Sequence, residues 1–145
     1  MPKYKNPTSF ETVPFLFIMD TYTKNHIVNA SEIDHLNHVN NVVYLQWIND
    51  ISIEHWNKIA TKKIKENYSW VAIRHEIDYL KSAFLKEEII LKTYITSLKG
   101  VKSIRKVEIY KKEILIAKSE TTWCLLDAKT QKIARIPNEI SILFQ

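Results

Sequence analysis

The apolar positions of the chain repeat with two different periods, and the change of period divides the chain into three blocks. Residues 1–40 are extended and rich in turn-forming residues, with strands predicted over 10–19 and 24–31. Residues 41–60 follow the three-to-four-residue spacing of an amphipathic helix. Residues 68–127 are rich in β-forming residues and largely alternate, which predicts four strands at 70–80, 88–98, 101–110 and 114–126.

The predicted helix is too apolar to stand alone. Its apolar face carries Tyr44, Ile48, Ile51, His55 and Ile59, and Asn40 or Asn41 is a suitable N-cap. Short polar connections at 86–87, 99–100 and 111–112 predict hairpins between successive strands. We therefore expect an α+β fold in which an antiparallel sheet curls around one long central helix. The tail after residue 137 is predicted to pack as a short helix or turn on the rim.

Composition narrows the class of protein. The 145 residues suit one domain over 1–145, and 46% hydrophobic with 26% charged residues excludes a disordered chain. The single glycine, Gly100, excludes a glycine-rich phosphate loop. The single cysteine, Cys124, excludes an internal disulfide framework and fits a reducing compartment. With no targeting or membrane-spanning segment visible, we expect a cytoplasmic protein without a membrane partner.

The net charge of +5 suits a polyanionic small ligand, and equally a surface that is merely soluble. Basic residues cluster on the predicted hairpin over 99–112, where Lys102 and Ser103 beside the glycine turn are the first candidates for contacts with CoA phosphates. The same lysines are also typical of a solvated sheet edge. Nucleic-acid binding is not predicted, because Glu108 and Glu113 interrupt the cluster and no DNA-binding motif is present.

Residues 34–47 carry the chemistry-bearing side chains. Asp34 could act as a base or a nucleophile, and His38 could orient a water or a carbonyl. Free N–H groups around Asn40 and Asn41, at the positive end of the helix, could hold a developing oxyanion. The alternative is that these residues only cap the helix and form turns. Because His35 and His38 straddle a turn, no metal or cofactor is predicted.

The pattern from Asp34 through His38-Val39-Asn40-Asn41 to Tyr44 resembles the signature of hotdog-fold acyl-CoA and acyl-ACP thioesterases, which are similar to 4-hydroxybenzoyl-CoA thioesterase. Weaker similarities at 77–80, 120–127 and 136–140 extend the resemblance over roughly residues 24–140. It implies a single hotdog domain that hydrolyses acyl thioesters in fatty-acid metabolism. It also implies a homodimer or homotetramer, with each site between the helix start of one chain and strands of another.

The resemblance also assigns roles. Asp34 matches the general base or nucleophile, the backbone N–H near Asn41 matches the oxyanion donor, and His38 and Asn40 match pocket positions. Tyr44 matches an aromatic residue one turn inside the helix, and Trp47 one turn later is a second candidate for substrate binding.

Departures from the family pattern bear on the substrate. Many acyl-CoA enzymes have glycine in place of Asn37, so the turn after Asp34 is expected to differ from theirs. Plant-type acyl-ACP enzymes have asparagine in place of Leu36 and glutamate in place of Ser82, and they carry two hotdog repeats. We therefore expect an acyl-CoA thioesterase. The alternatives are an acyl-ACP thioesterase and a non-catalytic module that binds or senses acyl thioesters; a dehydratase of the same fold fits the motif less well.

Overall fold

The structure is a computed structural model that describes residues 20–145. Its strands are β1 (Thr21–Ile27), β2 (Tyr68–Tyr79), β3 (Glu88–Lys99), β4 (Lys102–Lys111) and β5 (Ile114–Asp127). Its helices are α1 (Asn41–Ile59), α2 (Lys62–Asn67) and α3 (Asn138–Ser141), with 3₁₀ turns at Ala30–Glu32 and Ile142–Phe144. The strand predicted over 10–19 lies outside the described residues.

Helix α1 confirms the helical prediction for residues 41–60. The side chain of Asn40 is the N-cap, because its Oδ1 accepts the N–H of Val42 at 2.9 Å. The helix ends at Ile59, and the N–H of Ala60 still donates to the carbonyl of Trp56. One face of α1 is buried against the sheet, and its members are Tyr44, Trp47, Ile48, Ile51, Ser52 and His55.

The five strands form one antiparallel sheet in the order β1-β3-β4-β5-β2, which packs against α1 and confirms the predicted α+β arrangement. The hairpins predicted at 99–100 and 111–112 are confirmed. The hairpin predicted at 86–87 is wrong, because β2 pairs with β5 and β3 pairs with β1. The physical reason is that Lys86 and Glu87 form backbone hydrogen bonds with Val28, which follows β1. The segment before β3 is therefore held next to the end of β1 and does not fold back on β2.

The core has two parts. The first half of α1 packs on β1, β3, β4 and β5 around Ile48, Ile51 and Val107. A second cluster joins α2 and the C-terminal segment (residues 134–145) to the sheet through Ile64, Leu125 and Phe144. The predicted short helix of the tail is confirmed, whereas α2 was not predicted from the sequence. Within residues 20–145, no helix is long and apolar enough to cross a membrane.

Candidate active site

The candidate site begins with a tight loop between the 3₁₀ turn and α1. The N–H of Asp34 donates to the carbonyl of His38 at 3.0 Å, and the N–H of Asn37 donates to the carbonyl of Asp34 at 2.9 Å. Asn37 has a φ of 68°, in the left-handed region that glycine and asparagine tolerate best. Asn37 therefore adopts a turn conformation that few other residues take without strain.

The carboxylate of Asp34 is held close to the imidazole of His38. Oδ1 of Asp34 accepts the N–H of Leu36 at 2.9 Å and lies 3.9 Å from Nδ1 of His38. Nδ1 of His38 also lies 3.4 Å from the carbonyl oxygen of Val39. Both side chains retain access to solvent, with 17% of Asp34 and 29% of His38 exposed. A carboxylate and an imidazole thus lie side by side, within reach of a molecule that approaches from solvent.

The start of α1 leaves one backbone donor open. Asn40 caps the N–H of Val42 with its side chain and that of Val43 with its carbonyl, and its own N–H donates to the carbonyl of Glu32. In residues 20–145, no hydrogen bond takes up the N–H of Asn41. Because the peptide dipoles of α1 add up at this end, the free N–H lies in a positive potential.

A small cavity of about 130 Å³ opens at this helix start. Its wall includes His38, Asn41, Tyr44 and Tyr79. The hydroxyl of Tyr79 donates to the carbonyl of Asn41 at 3.1 Å, so the end of β2 is fastened to the first turn of α1. Asp34 does not line the cavity of a single chain. Its Oδ1 lies 3.9 Å from Nδ1 of His38, which does line it.

The two aromatic candidates on α1 have different surroundings. Tyr44 is buried against Tyr79 and Trp47, with ring centroids 5.3 and 5.1 Å away, and burial raises the pKa of its hydroxyl. Trp47 lies one turn deeper, where its Nε1–H donates to Oε2 of Glu32 at 2.9 Å. Only Tyr44 lines the cavity at the helix start; Trp47 lines a separate cavity of about 300 Å³.

Glu32 and His26 form a polar cluster with Trp47 that the sequence did not reveal. Nε2 of His26 lies 2.9 and 3.0 Å from the two carboxylate oxygens of Glu32. Burial opposes the ionisation of Glu32, but hydrogen bonds from His26, the Asn29 N–H and Trp47 outweigh it and lower the pKa of this carboxyl. The cluster fixes the 3₁₀ turn before Asp34 against α1. Trp47 lies 15 residues after Glu32, and the contact of His26 with Glu32 spans a change from strand to 3₁₀ turn, so neither a helical nor a strand period connects the three.

Lys102 and Ser103 are separated by the alternation of β4. Lys102 is exposed, whereas Ser103 is 2% exposed and points to the side of the sheet that α1 covers. Ser103 lines a large cavity of about 470 Å³ at the other end of α1, together with Arg105, Trp56 and Trp70. Within one chain, neither residue joins the cavity at the helix start.

Sequence reasoning also missed Tyr79 and Arg105. Tyr79 reaches the helix start only because β2 pairs with β5 in the observed register. In the sequence, Arg105 is one of several basic residues on the predicted hairpin over 99–112, and nothing there marks it as buried. Cys124 is buried, as expected. The described residues contain no group of three or more His, Cys, Asp or Glu side chains arranged to hold a metal ion.

Comparison with known proteins places this arrangement in a family. Residues 19–144 match the family model of the acyl-ACP thioesterase N-terminal domain. A 1,4-dihydroxy-2-naphthoyl-CoA thioesterase from Synechocystis superposes with a TM-score of 0.74 at 17% identity, over 86% of this chain and 95% of that one. A hypothetical protein from Staphylococcus aureus, solved in complex with CoA, superposes with a TM-score of 0.76 at 19% identity, over 87% and 82%. No curated protein matches by sequence.

The structural matches share the fold and little sequence, so they bear on architecture alone. The family model covers most of the chain, including the loop with Asp34, all of α1 and the whole sheet. The chain therefore has the hotdog fold and belongs to the family of the acyl-ACP thioesterase N-terminal domain.

Proposed function

We propose that the protein hydrolyses acyl thioesters to a free acid and a thiol, with acyl-CoA as the favoured substrate. The observation that carries this proposal is the start of α1, where Asn41, whose N–H has no hydrogen-bond partner among residues 20–145, lines one cavity with His38, and Nδ1 of His38 lies 3.9 Å from the carboxylate of Asp34. Membership in the family of the acyl-ACP thioesterase N-terminal domain supports it.

Each group has a defined role in the proposed reaction. The thioester carbonyl oxygen accepts from the N–H of Asn41, and the positive end of α1 stabilises the charge that develops there. Asp34 takes a proton from a water whose oxygen attacks the carbonyl carbon, or it attacks directly to form an anhydride that water then opens. The C–S bond breaks, the thiolate takes up a proton, and the acid departs. His38 orients the water or the carboxylate.

A second copy of the chain completes the site in this proposal. β2 is an edge strand in residues 20–145, and it exposes Val71 and Ile73. Two β2 strands paired antiparallel about a two-fold axis bring the end of one beside the start of the other. The end of β2 contacts the start of α1 through Tyr79, and the beginning of β2 lines the large cavity. Pairing therefore sets the helix start of one chain beside the large cavity of its partner.

The large cavity is then the place for the acyl group. Within one chain, Asn49, the residue of its wall nearest to Asn41 along α1, is about 12 Å away, at a rise of about 1.5 Å per residue. That separation is too long for direct contact with the thioester carbonyl. Across the proposed dimer the two sites adjoin, so the thioester can lie at one chain's helix start while its acyl group enters the other chain's cavity.

The carrier is the main alternative within this function. The family match concerns acyl-ACP thioesterases, whereas the Staphylococcus aureus protein of the same fold was solved with CoA. The exposed amine of Lys102 offers a phosphate contact for either carrier, because both present a phosphopantetheine arm. We propose acyl-CoA on the strength of the departures from the acyl-ACP pattern at Leu36 and Ser82.

Thiol release from panels of acyl-CoAs and acyl-ACPs tests the proposal, with Asp34→Asn and Asp34→Ala beside the unmodified chain. We expect both variants to lower kcat/KM by about a hundredfold or more, the scale for loss of a base or nucleophile. Glu66→Gln is the matched control, because it removes the same charge from an exposed position of α2 and should leave turnover unchanged. Circular dichroism and thermal unfolding establish that the variants fold.

Unaltered turnover in both Asp34 variants would reject the proposed role of that carboxylate. Tight binding of acyl thioesters without turnover in the unmodified chain would instead identify a binding or sensing module. Release from acyl-ACP that exceeds release from acyl-CoA by a wide margin would assign the carrier to ACP.

A further inference from the structure

The large cavity combines apolar walls with a buried positive charge. It has a volume of about 470 Å³, within the usual range of about 300–1,000 Å³ for small-molecule sites. The second half of α1, the start of β2 and the C-terminal segment enclose it, and Trp56, Trp70, Ile95 and Phe144 supply apolar wall. Arg105 of β4 is also in the wall, although it is only 4% exposed.

The guanidinium of Arg105 has only neutral partners in the described part of the chain. Its Nη1 donates to Nδ1 of His55 and to Oγ1 of Thr93, both at 2.9 Å, which uses both hydrogens of that nitrogen. None of the salt bridges among residues 20–145 includes Arg105. The carboxylate of Asp20 lies on the far side of His55, 2.7 Å from its Nε2.

Burial alone lowers the pKa of Arg105 to about 10, so its side chain stays protonated at neutral pH. A buried charge without an opposite charge in contact is costly, and proteins rarely keep one without a use. The hydrogen bonds of the described residues leave Nε and Nη2 of Arg105 unused. These nitrogens offer the planar fork that matches a carboxylate.

A second donor at the same cavity lacks a partner. Trp123 also lines the cavity, opposite Ser103 in the pairing of β4 with β5. Its Nε1–H is buried and makes no hydrogen bond with any described residue. An indole N–H can only donate, so it requires an acceptor. Among the described residues, Nε and Nη2 of Arg105 and Nε1 of Trp123 thus have no acceptor, which favours a ligand that supplies oxygen acceptors in this cavity.

We propose that Arg105 binds a carboxylate at the far end of the acyl group, so that the preferred substrates are thioesters of dicarboxylic acids. This inference rests on the proposed thioesterase function and adds its substrate class. The apolar walls contact the methylene chain, and the guanidinium neutralises the terminal carboxylate. A plain acyl chain would leave the charge of Arg105 uncompensated beside a methyl group.

The test compares matched pairs of CoA thioesters, beginning with hexanoyl-CoA and adipoyl-CoA and continuing to longer chains. We expect kcat/KM for the carboxylated member of at least one pair to exceed that of its plain partner by about tenfold or more, the scale of a charge-assisted hydrogen bond. Arg105→Met should abolish or invert this ratio. Arg105→Lys keeps the charge without the fork, so it should reduce the ratio and keep its direction.

The ratio separates recognition from a structural role. If Arg105 only supports the fold, its variants change kcat/KM for both members of a pair equally and the ratio stays constant. Lys106→Met is the matched control, because Lys106 is adjacent on β4, faces the other side of the sheet and pairs with Glu120. Its ratio should equal that of the unmodified chain. If Arg105→Met does not fold, the ratio of Arg105→Lys against Lys106→Met decides.

Failure of the proposed function is recognised separately. If no thioester is hydrolysed, calorimetry measures the binding of the same pairs to the unmodified chain. Tighter binding of the carboxylated member, lost in Arg105→Met, supports the Arg105 inference without thioesterase activity. Equal or preferred use of the plain member in every pair, by turnover or by binding, overturns it.

Discussion

At the scale of single residues, His55 connects Arg105 in the wall of the large cavity to Asp20, just before β1. It is fully buried on α1, between Arg105 on one side and Asp20 on the other. Because an arginine can only donate, Nδ1 of His55 must accept, and the proton of the neutral ring lies on Nε2 and is donated to Asp20. The imidazole therefore holds Arg105 in place only while it is neutral.

The protonation of His55 makes stability depend on pH. Burial lowers the pKa of His55; the bond to Asp20 opposes that shift, and the charge of Arg105 adds to it. Below the ordinary value of about 6.5, the unfolded chain binds a proton at this residue that the folded chain excludes. The stabilisation is therefore complete above about pH 6.5 and is lost progressively as the pH falls from there towards the folded pKa.

We expect the free energy of unfolding to decline below about pH 6.5, with a slope of at most about 1.4 kcal/mol per pH unit from this histidine. Urea denaturation at a series of pH values measures that slope. His55→Gln cannot titrate and should reduce the slope, leaving the part that comes from His75, whose pKa burial also lowers. His35→Gln, at an exposed position of the loop, should leave the slope unchanged. A slope that His55→Gln leaves intact would contradict this assignment.

The candidate site shows which residues a sequence can reveal. Asp34, Asn37, His38 and Asn40 interact across a few positions of the chain, so their spacing alone records the turn, the cap and the free N–H of Asn41. Tyr79 and Arg105 reach their sites through strand register, which no local spacing records. Strand alternation predicts that Lys102 and Ser103 lie on opposite faces of β4, so the two residues do not form one binding site within a chain.

At the scale of elements, periodicity predicted α1 and β2 to β5 but not how the strands pair. The strand predicted over 24–31 is right only for 24–27, because β1 runs Thr21–Ile27 and a capping box on Asn29 starts the 3₁₀ turn Ala30–Glu32. Four of five strands follow one another closely in the chain, which favours a simple meander. β2 pairs with β5 and not with β3, its neighbour in the chain, and this pairing makes β2 an edge strand. The pairing depends on long-range packing around α1. The short α2 was missed because its six residues hold a single buried side chain, Ile64, too few to display a helical period.

The C-terminal segment closes one end of the core through Phe144. This ring is 1% exposed; it stacks on Trp56 at 6.4 Å and lies 6.0 Å from the guanidinium carbon of Arg105. The backbone carbonyl of Phe144 also accepts the N–H of Asp20, which fastens the segment beside the start of β1. The tail is therefore part of the core and of the wall of the large cavity.

We expect Phe144→Ala to lower the free energy of unfolding by about 3–5 kcal/mol, because it removes a large buried ring and leaves a void. Ile142→Ala, two positions earlier and 52% exposed, should change it by about 0.5 kcal/mol or less. Urea or thermal denaturation followed by tryptophan fluorescence compares the two. Equal effects would show that the segment does not contribute to the core as the structure indicates.

At the scale of the whole molecule, the proposed reaction needs two surfaces that one chain keeps apart. The free N–H of Asn41 is at one end of α1, and the large cavity with Arg105 is at the other. The open edge of β2 runs between them and exposes Ile73 at an irregularity in its pairing with β5. Pairing of two such edges removes apolar surface from water and joins the two half-sites.

Charge placed on that edge should therefore reduce both assembly and catalysis. We expect Ile73→Glu to weaken self-association by about tenfold or more, because the two-fold axis brings two added carboxylates into one interface that excludes water. Ile114→Glu is the matched control: Ile114 is also 50% exposed but lies at the start of β5, away from the β2 edge. Sedimentation velocity over a range of concentrations, with thiol release at the same concentrations, measures both effects. If the Ile73→Glu monomer turns over substrate at the full rate, each chain holds a complete site and the two-chain arrangement is wrong. If turnover falls in proportion to the fraction of dimer, while Ile114→Glu keeps both self-association and turnover, the site is shared between two chains.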